Sequence, residues 1–183
     1  FEAAVQAGDE VVCIVISSEL SGTYTSAIMA KEAMPDAPIT VIDSRTTSLA
    51  LGLVAEEAAR MALAGATREQ ITRRVEQLLP LTSILFIVDT LKYLQMGGRI
   101  GGAQALVGTL LNIKPLLTVE GGRVEPVERV RTRRKALDRL VEIAVERSKQ
   151  TEYSYHVGVL HSSAPQDAER VAKQVQERIN CAR

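Results

Sequence analysis

The sequence predicts an α/β protein, on three observations. Short continuous apolar runs alternate with helical patterns, as strands covered by helices require. A Gly-Gly pair joins two strand-like runs in the second half, which is a hairpin signature. With 183 residues, 46% hydrophobic and 24% charged, the chain is long enough for one large or two small cores.

Val11 to Ile16 is a run of six apolar residues, too short for a membrane span and suited to a strand covered on both faces. A helical pattern runs from Tyr24 through Ala27, Ile28 and Ala30 to Met34, so Ser21, Gly22 and Thr23 fall where strand becomes helix. Ile39 to Asp43 is a second strand. The next helix is capped by Thr47 or Ser48 and stopped by Gly65. Another begins with Thr67 as N-cap and is broken by Pro80, and Ser83 to Asp89 reads as a strand buried on both sides. Pro80 is the candidate boundary, dividing the chain into residues 1–79 and 80–183.

Beyond it the pattern predicts a short helix at LKYLQM, glycine pairs around Arg99 in GGRIGG, and a short helix at AQALVGTLLN. The hairpin IKPLLTVEGGRVEPVERV and a basic helix from Thr132 to Lys149 come next. YHVGVLH is read as a strand ending in His161, and a last helix runs from Pro165 to Asn180. A hairpin combined with crossover helices implies a mixed sheet in the second domain.

The net charge is zero, yet residues 1–90 hold six Lys/Arg and twelve Asp/Glu, and residues 91–183 hold sixteen and ten. Arg131, Lys135 and Arg139 recur every four residues and are expected to share a helical face, either solvated or docking an acidic partner. With aromatics at 3% and no net charge, a nucleic-acid reader working through Arg129 to Arg139 is the weaker reading. Two cysteines, Cys13 in a strand and Cys181 near the end, suggest a buried small hydrophobe and a surface thiol rather than a pair. They fit a reducing cytoplasm. No metal site is expected from two His and unclustered Cys, and neither a P-loop nor G-x-G-x-x-G occurs.

Ser21, Asp43 and His161 all sit at expected strand ends, which opens a serine hydrolase acting on a lipid or ester as an alternative. The nucleophile-elbow pattern is absent, because Glu19 and Thr23 occupy the places that need small residues. The hydroxyls and amides of Ser21, Gly22 and Thr23 can instead hold an anion at a helix start. Local capping of the helix by Ser21 or Thr23 is the plainer reading of those residues alone.

Five blocks, SSELSGTYTSA, VIDSRTTSLALG, LKYLQMGGRIGG, IKPLLTVEGGRVEPVERVRTRRKAL and VGVLHSS, resemble in order and spacing the DegV family of bacterial fatty-acid-binding proteins. The resemblance implies a parallel-sheet, Rossmann-like first domain, a mixed-sheet second domain and a long-chain fatty acid between them. It implies a carrier rather than an enzyme, with no cofactor beyond the bound fatty acid. In such a carrier the carboxylate is offered to a separate ATP-dependent fatty acid kinase that makes the acyl phosphate used in phospholipid synthesis. Carried over by motif, Ser21 of L-S-G-T-Y binds the carboxylate beside Gly22 and Thr23. Arg99 of G-G-R-I lies near that network, and Arg131 of V-R-T meets the kinase. The family's Asp-Ser and Thr-Ser-Gln-Pro segment and its His-Thr-Gly-Pro-Gly-like loop are not in this sequence, so the chain reads as a piece of a longer protein with an incomplete carboxyl end. His161 is not the histidine of that loop.

Overall fold

A computed structural model describes residues 1–108, 113–149 and 154–182. The chain is α/β and divides into two compact units. The first is Phe1–Ser83 together with Glu120–Arg123, and the second is Ile84–Val119 together with Val124–Arg183.

In the first unit, α1 (Glu2–Gln6) leads into β1 (Val11–Val15), α2 (Thr23–Glu32), β2 (Ile39–Asp43), α3 (Ser48–Leu63) and α4 (Arg68–Leu78), with a 3-10 turn at Leu79–Leu81. Strands β1 and β2 pair in parallel, Val11 opposite Ile39 and Val15 opposite Asp43. Helices α3 and α4 cover one face through a core of Val54, Ala58, Ile71 and Val75, against which Val12, Ile14 and Ile42 pack. Thr67 starts α4 with a complete capping box: its side chain accepts the Gln70 N–H, and the Gln70 side chain accepts the Thr67 N–H. Burial of β1 on both faces does not hold. Val11 to Ile14 are half-buried and only Val15 is fully buried, since each strand of a two-stranded sheet keeps an open edge among the described residues.

The second unit contains β3 (Leu85–Ile87), α5 (Lys92–Met96), a 3-10 helix (Gly101–Leu106), β4 (Lys114–Glu120), β5 (Arg123–Val130), α6 (Arg133–Ser148) and α7 (Pro165–Arg178). Its described sheet is antiparallel with order β3-β4-β5. Strand β3 lies at the edge and is half-buried rather than enclosed. The central β4 takes the deep position, with Leu116 and Leu117 at 0% exposure. Pro115 withholds no N–H from the β3 ladder, which begins at Leu116, opposite Ile87. Leu137, Val141 and Val145, spaced by four on α6, close the core against Val171, Val175 and Ile179.

Five expectations change. YHVGVLH packs Tyr155, Val157 and Val159 inward, but among the described residues it forms no ladder and makes one bridge, Tyr155 to Cys181. Alternation supplies one apolar face, yet a strand also needs a neighbouring ladder. Of AQALVGTLLN, only the 3-10 helix ending at Leu106 forms, and residues 109–112 lie outside the described residues. Arg131 is not on the basic helix: Thr132 Oγ1 accepts the Lys135 N–H and starts α6 at Arg133. Arg139 is not an unpaired cation on that face either, since Glu128, Glu142 and Glu146 surround it at 2.8–3.1 Å. Cys181 is half-buried, not a surface thiol, and Cys13 is half-buried with its thiol pKa pushed up by burial.

Candidate functional site

The register that sets Val15 beside Asp43 brings the carboxyl ends of β1 and β2 together, where open α/β sheets take their ligands. Two hydroxyl-rich segments leave those ends, Ser17 to Thr23 and Ser44 to Ser48. They are stitched by Ser17 N–H to the Thr46 carbonyl at 2.9 Å and Ser44 N–H to the Val15 carbonyl at 3.1 Å. Asp43 Oδ1 accepts the backbone N–H groups of Ser18 at 3.1 Å and Arg45 at 3.0 Å. Its carboxylate thus organises both turns.

Ser21, Gly22 and Thr23 come together at the start of α2. Gly22 is the N-cap, so neither Ser21 nor Thr23 occupies that position, and no side chain caps the helix. Ser21 Oγ and Thr23 Oγ1 share a hydrogen bond of 2.8 Å, and the Thr23 N–H donates to Ser21 Oγ at 3.3 Å. Two hydroxyls beside the positive end of a ten-residue helix form a place where an anion is favoured. Ser17, Ser44 and Thr46 are buried and spend their polar groups internally: Ser44 Oγ donates to the Thr46 carbonyl and accepts the Thr46 N–H, both at 3.3 Å.

Arg99 belongs to the second unit. Its backbone N–H donates to the Leu94 carbonyl at 2.9 Å, and its Nη1 donates to the Gly97 carbonyl at 2.6 Å. The glycine pair after it has a packing reason, because a Cβ on Gly101 would meet the Val124 carbonyl at 2.3 Å. Arg131 is exposed in the turn before α6.

A network that the sequence did not reveal lies beside Ser21. The Gly121–Gly122 turn packs with the first unit, where Ser17 Oγ donates to the Gly122 carbonyl at 2.8 Å. Arg45, at φ 51°, donates through Nη2 to the Gly121 carbonyl and through Nη1 to Glu19 Oε1 at 3.3 Å. Arg123 reaches the other Glu19 oxygen at 2.6 Å. Arg123 first, and Arg45 second, hold the Glu19 carboxyl below the usual carboxylate range. The available sequence signals were Gly-Gly and a lone Asp-Ser-Arg, neither of which names a partner.

Each residue of the hydrolase alternative has a local hydrogen-bond partner. Ser21 is bonded to Thr23, Asp43 accepts backbone amides, and His161 Nδ1 accepts the Ala164 N–H at 3.2 Å ahead of α7. Among the described residues no cluster of three or more His, Cys, Asp or Glu is arranged to hold a metal, and no helix is long and apolar enough to cross a membrane. A cleft of about 580 Å³ in the second unit, lined by Val157, Val159, Val175, Ile179 and Cys181 among others, contains none of Ser21, Gly22, Thr23 or Arg99.

The fold and the hydroxyl-rich strand ends define a two-unit α/β protein with an anion-favouring helix start. The chain matches the family model described as "Uncharacterised protein, DegV family" over residues 1–182 and belongs to the DegV family. It is 43% identical over 176 residues to a DegV domain-containing protein of Streptomyces coelicolor, covering 96% of this chain and 62% of that one. With a Clostridium acetobutylicum relative it shares 38% over 182 residues, 97% and 64% of the two chains. The chain thus spans a little under two thirds of these curated relatives. Among solved structures it resembles a DegV family protein from Thermus thermophilus described for its fatty acid binding, at TM-score 0.87 and 32% identity over 99% of this chain and 64% of that one. A stearic acid-binding protein from Eubacterium ventriosum matches at TM-score 0.88 and 28% identity, covering 100% and 64%.

Proposed function

We propose that the protein containing this chain is a cytoplasmic carrier that binds a long-chain fatty acid and presents its carboxylate to a separate fatty acid kinase, itself catalysing nothing. The reading is carried by the hydroxyl pair of Ser21 and Thr23 at the helix start, in a chain whose structural relatives include a stearic acid-binding protein. Ser21, Gly22, Thr23 and Arg99 are assigned to the carboxylate and Arg131 to the kinase. Burying about fourteen methylenes contributes on the order of 11 kcal/mol before association costs. A hydrogen bond to a carboxylate adds about 1.5–3 kcal/mol. The tail therefore sets affinity, and Ser21 orients the head.

Solvent extraction of the purified full-length protein followed by mass spectrometry should release a long-chain fatty acid, and an empty extract would overturn the carrier reading. With a fatty acid kinase and ATP, the loaded protein should yield acyl phosphate, more slowly for Arg131→Ala. Equal rates would remove Arg131 from the docking surface.

A further inference from the structure

Ser21 is placed by its backbone before any ligand arrives. The carbonyl of Ser17 accepts the N–H of Leu20 at 3.0 Å and of Ser21 at 3.1 Å, so the position of Ser17 sets that of Ser21. Ser17 has 0% exposure, and its hydroxyl is committed to the Gly122 carbonyl at 2.8 Å while also accepting the Glu19 N–H at 3.2 Å. The turn that supplies this carbonyl is gripped in turn. Arg45 donates to the Gly121 carbonyl, to Glu19 and, at 3.5 Å, to Ser18 Oγ, while Arg123, the first residue of β5 after the turn, holds Glu19. Gly122 sits at φ 86°, and a Cβ there would meet Ser17 Oγ at 2.5 Å and Arg45 Nε at 2.9 Å, so the closeness of this fit depends on glycine.

We infer that Arg45, with the Gly121–Gly122 turn it clamps, is a positioning residue for the Ser21 hydroxyl, setting how well the site reads a carboxylate without touching the ligand. The inference rests on the proposal that Ser21 receives the fatty-acid carboxylate. Its chemical basis is directional: a hydroxyl moved by a fraction of an ångström loses a charge-assisted hydrogen bond, while the hydrocarbon tail is indifferent to that shift.

The test compares binding of stearic acid and of its methyl ester, which keeps the tail and lacks the charge, to the full-length protein and its Arg45→Ala, Arg45→Lys and Ser21→Ala variants. Arg45→Ala is chosen because the side chain is 47% exposed, and the carboxylates it leaves keep partners: Glu19 keeps Arg123, and Asp43 keeps the Ser18 N–H. The expected result is an acid affinity weakened about fivefold, equivalent to roughly 1 kcal/mol, with ester affinity unchanged. Arg45→Lys should recover part of the loss. Combined with Ser21→Ala, Arg45→Ala should add nothing, because the group it positions is gone. If Ser21→Ala weakens the acid and Arg45→Ala does not, the positioning role is overturned while the carboxylate site stands. Equal weakening of acid and ester by Arg45→Ala also overturns it, since that marks general damage to the unit. If Ser21→Ala leaves the acid-to-ester ratio untouched, the assignment of Ser21 itself fails.

Discussion

Gly121 and Gly122 are neighbours with different tolerances. Both have positive φ, 56° and 86°, but only Gly122 has atoms of Ser17 and Arg45 in the space a Cβ would take. Gly121→Ala should therefore cost about 1 kcal/mol of backbone strain. Gly122→Ala should cost about 2–4 kcal/mol, because strain and collision combine. Urea unfolding midpoints of the two variants measure the difference, and equal values would mean the turn does not seat on Ser17. If Ser21 holds the carboxylate as proposed, Ser21→Ala should weaken fatty-acid binding at least about tenfold by removing a hydrogen bond to a charged group, as fluorescence or calorimetric titration would read. The strand-to-helix junction that holds Ser21 was legible because it is a local pattern. The Ser17 to Gly122 bond was not, because its partners are 105 residues apart and neither carries a mark of the other.

Among the elements, those with local start signals were the most readable. Thr67 and Thr132 start α4 and α6 by accepting the N–H groups of Gln70 and Lys135. Thr67→Ala removes the capping box and should lower stability by about 1 kcal/mol, seen as an earlier urea midpoint with unchanged slope. Thr67→Ser should restore most of it. The stretch from Tyr155 to His161 shows the opposite case, since its alternation of inward Val157 and Val159 was visible but its bridging partner near Cys181 was not. The basic face failed for a similar reason. Spacing put Arg139 with Arg131 and Lys135, while the carboxylates that surround Arg139 come from both α6 and β5.

At the scale of the molecule, carboxylates paired with arginine or lysine set the acid response. Lys114 first, and Arg133 second, hold Asp89 below its ordinary range, and Arg139 does the same for Glu128. Unfolded, these groups bind protons at higher pH than when folded, so the stability they contribute is present above about pH 4 and lost as pH falls through the folded-state values. Unfolding midpoints measured from pH 7 down to 3 should drop most steeply below about pH 4.5. Asp89→Asn should flatten that drop, and an unchanged profile would show that the pairings contribute little. The α/β class was legible from alternation alone, and Pro80 marks where the local pattern loosens. The first unit runs on to Ser83 and gathers Glu120–Arg123 from far along the chain, which no single cut in a linear sequence can express.

That returning turn bears on any attempt to split the gene. A stop codon after Ser83 would yield a half whose innermost serine has lost its acceptor carbonyl, and whose Glu19 has lost the closer of its two arginines. That hydroxyl still accepts the Glu19 N–H, but a donor left without its acceptor costs about 1–3 kcal/mol wherever water does not replace it. Grafting the peptide Glu-Gly-Gly-Arg back onto such a half is then a repair that thermal melting can score.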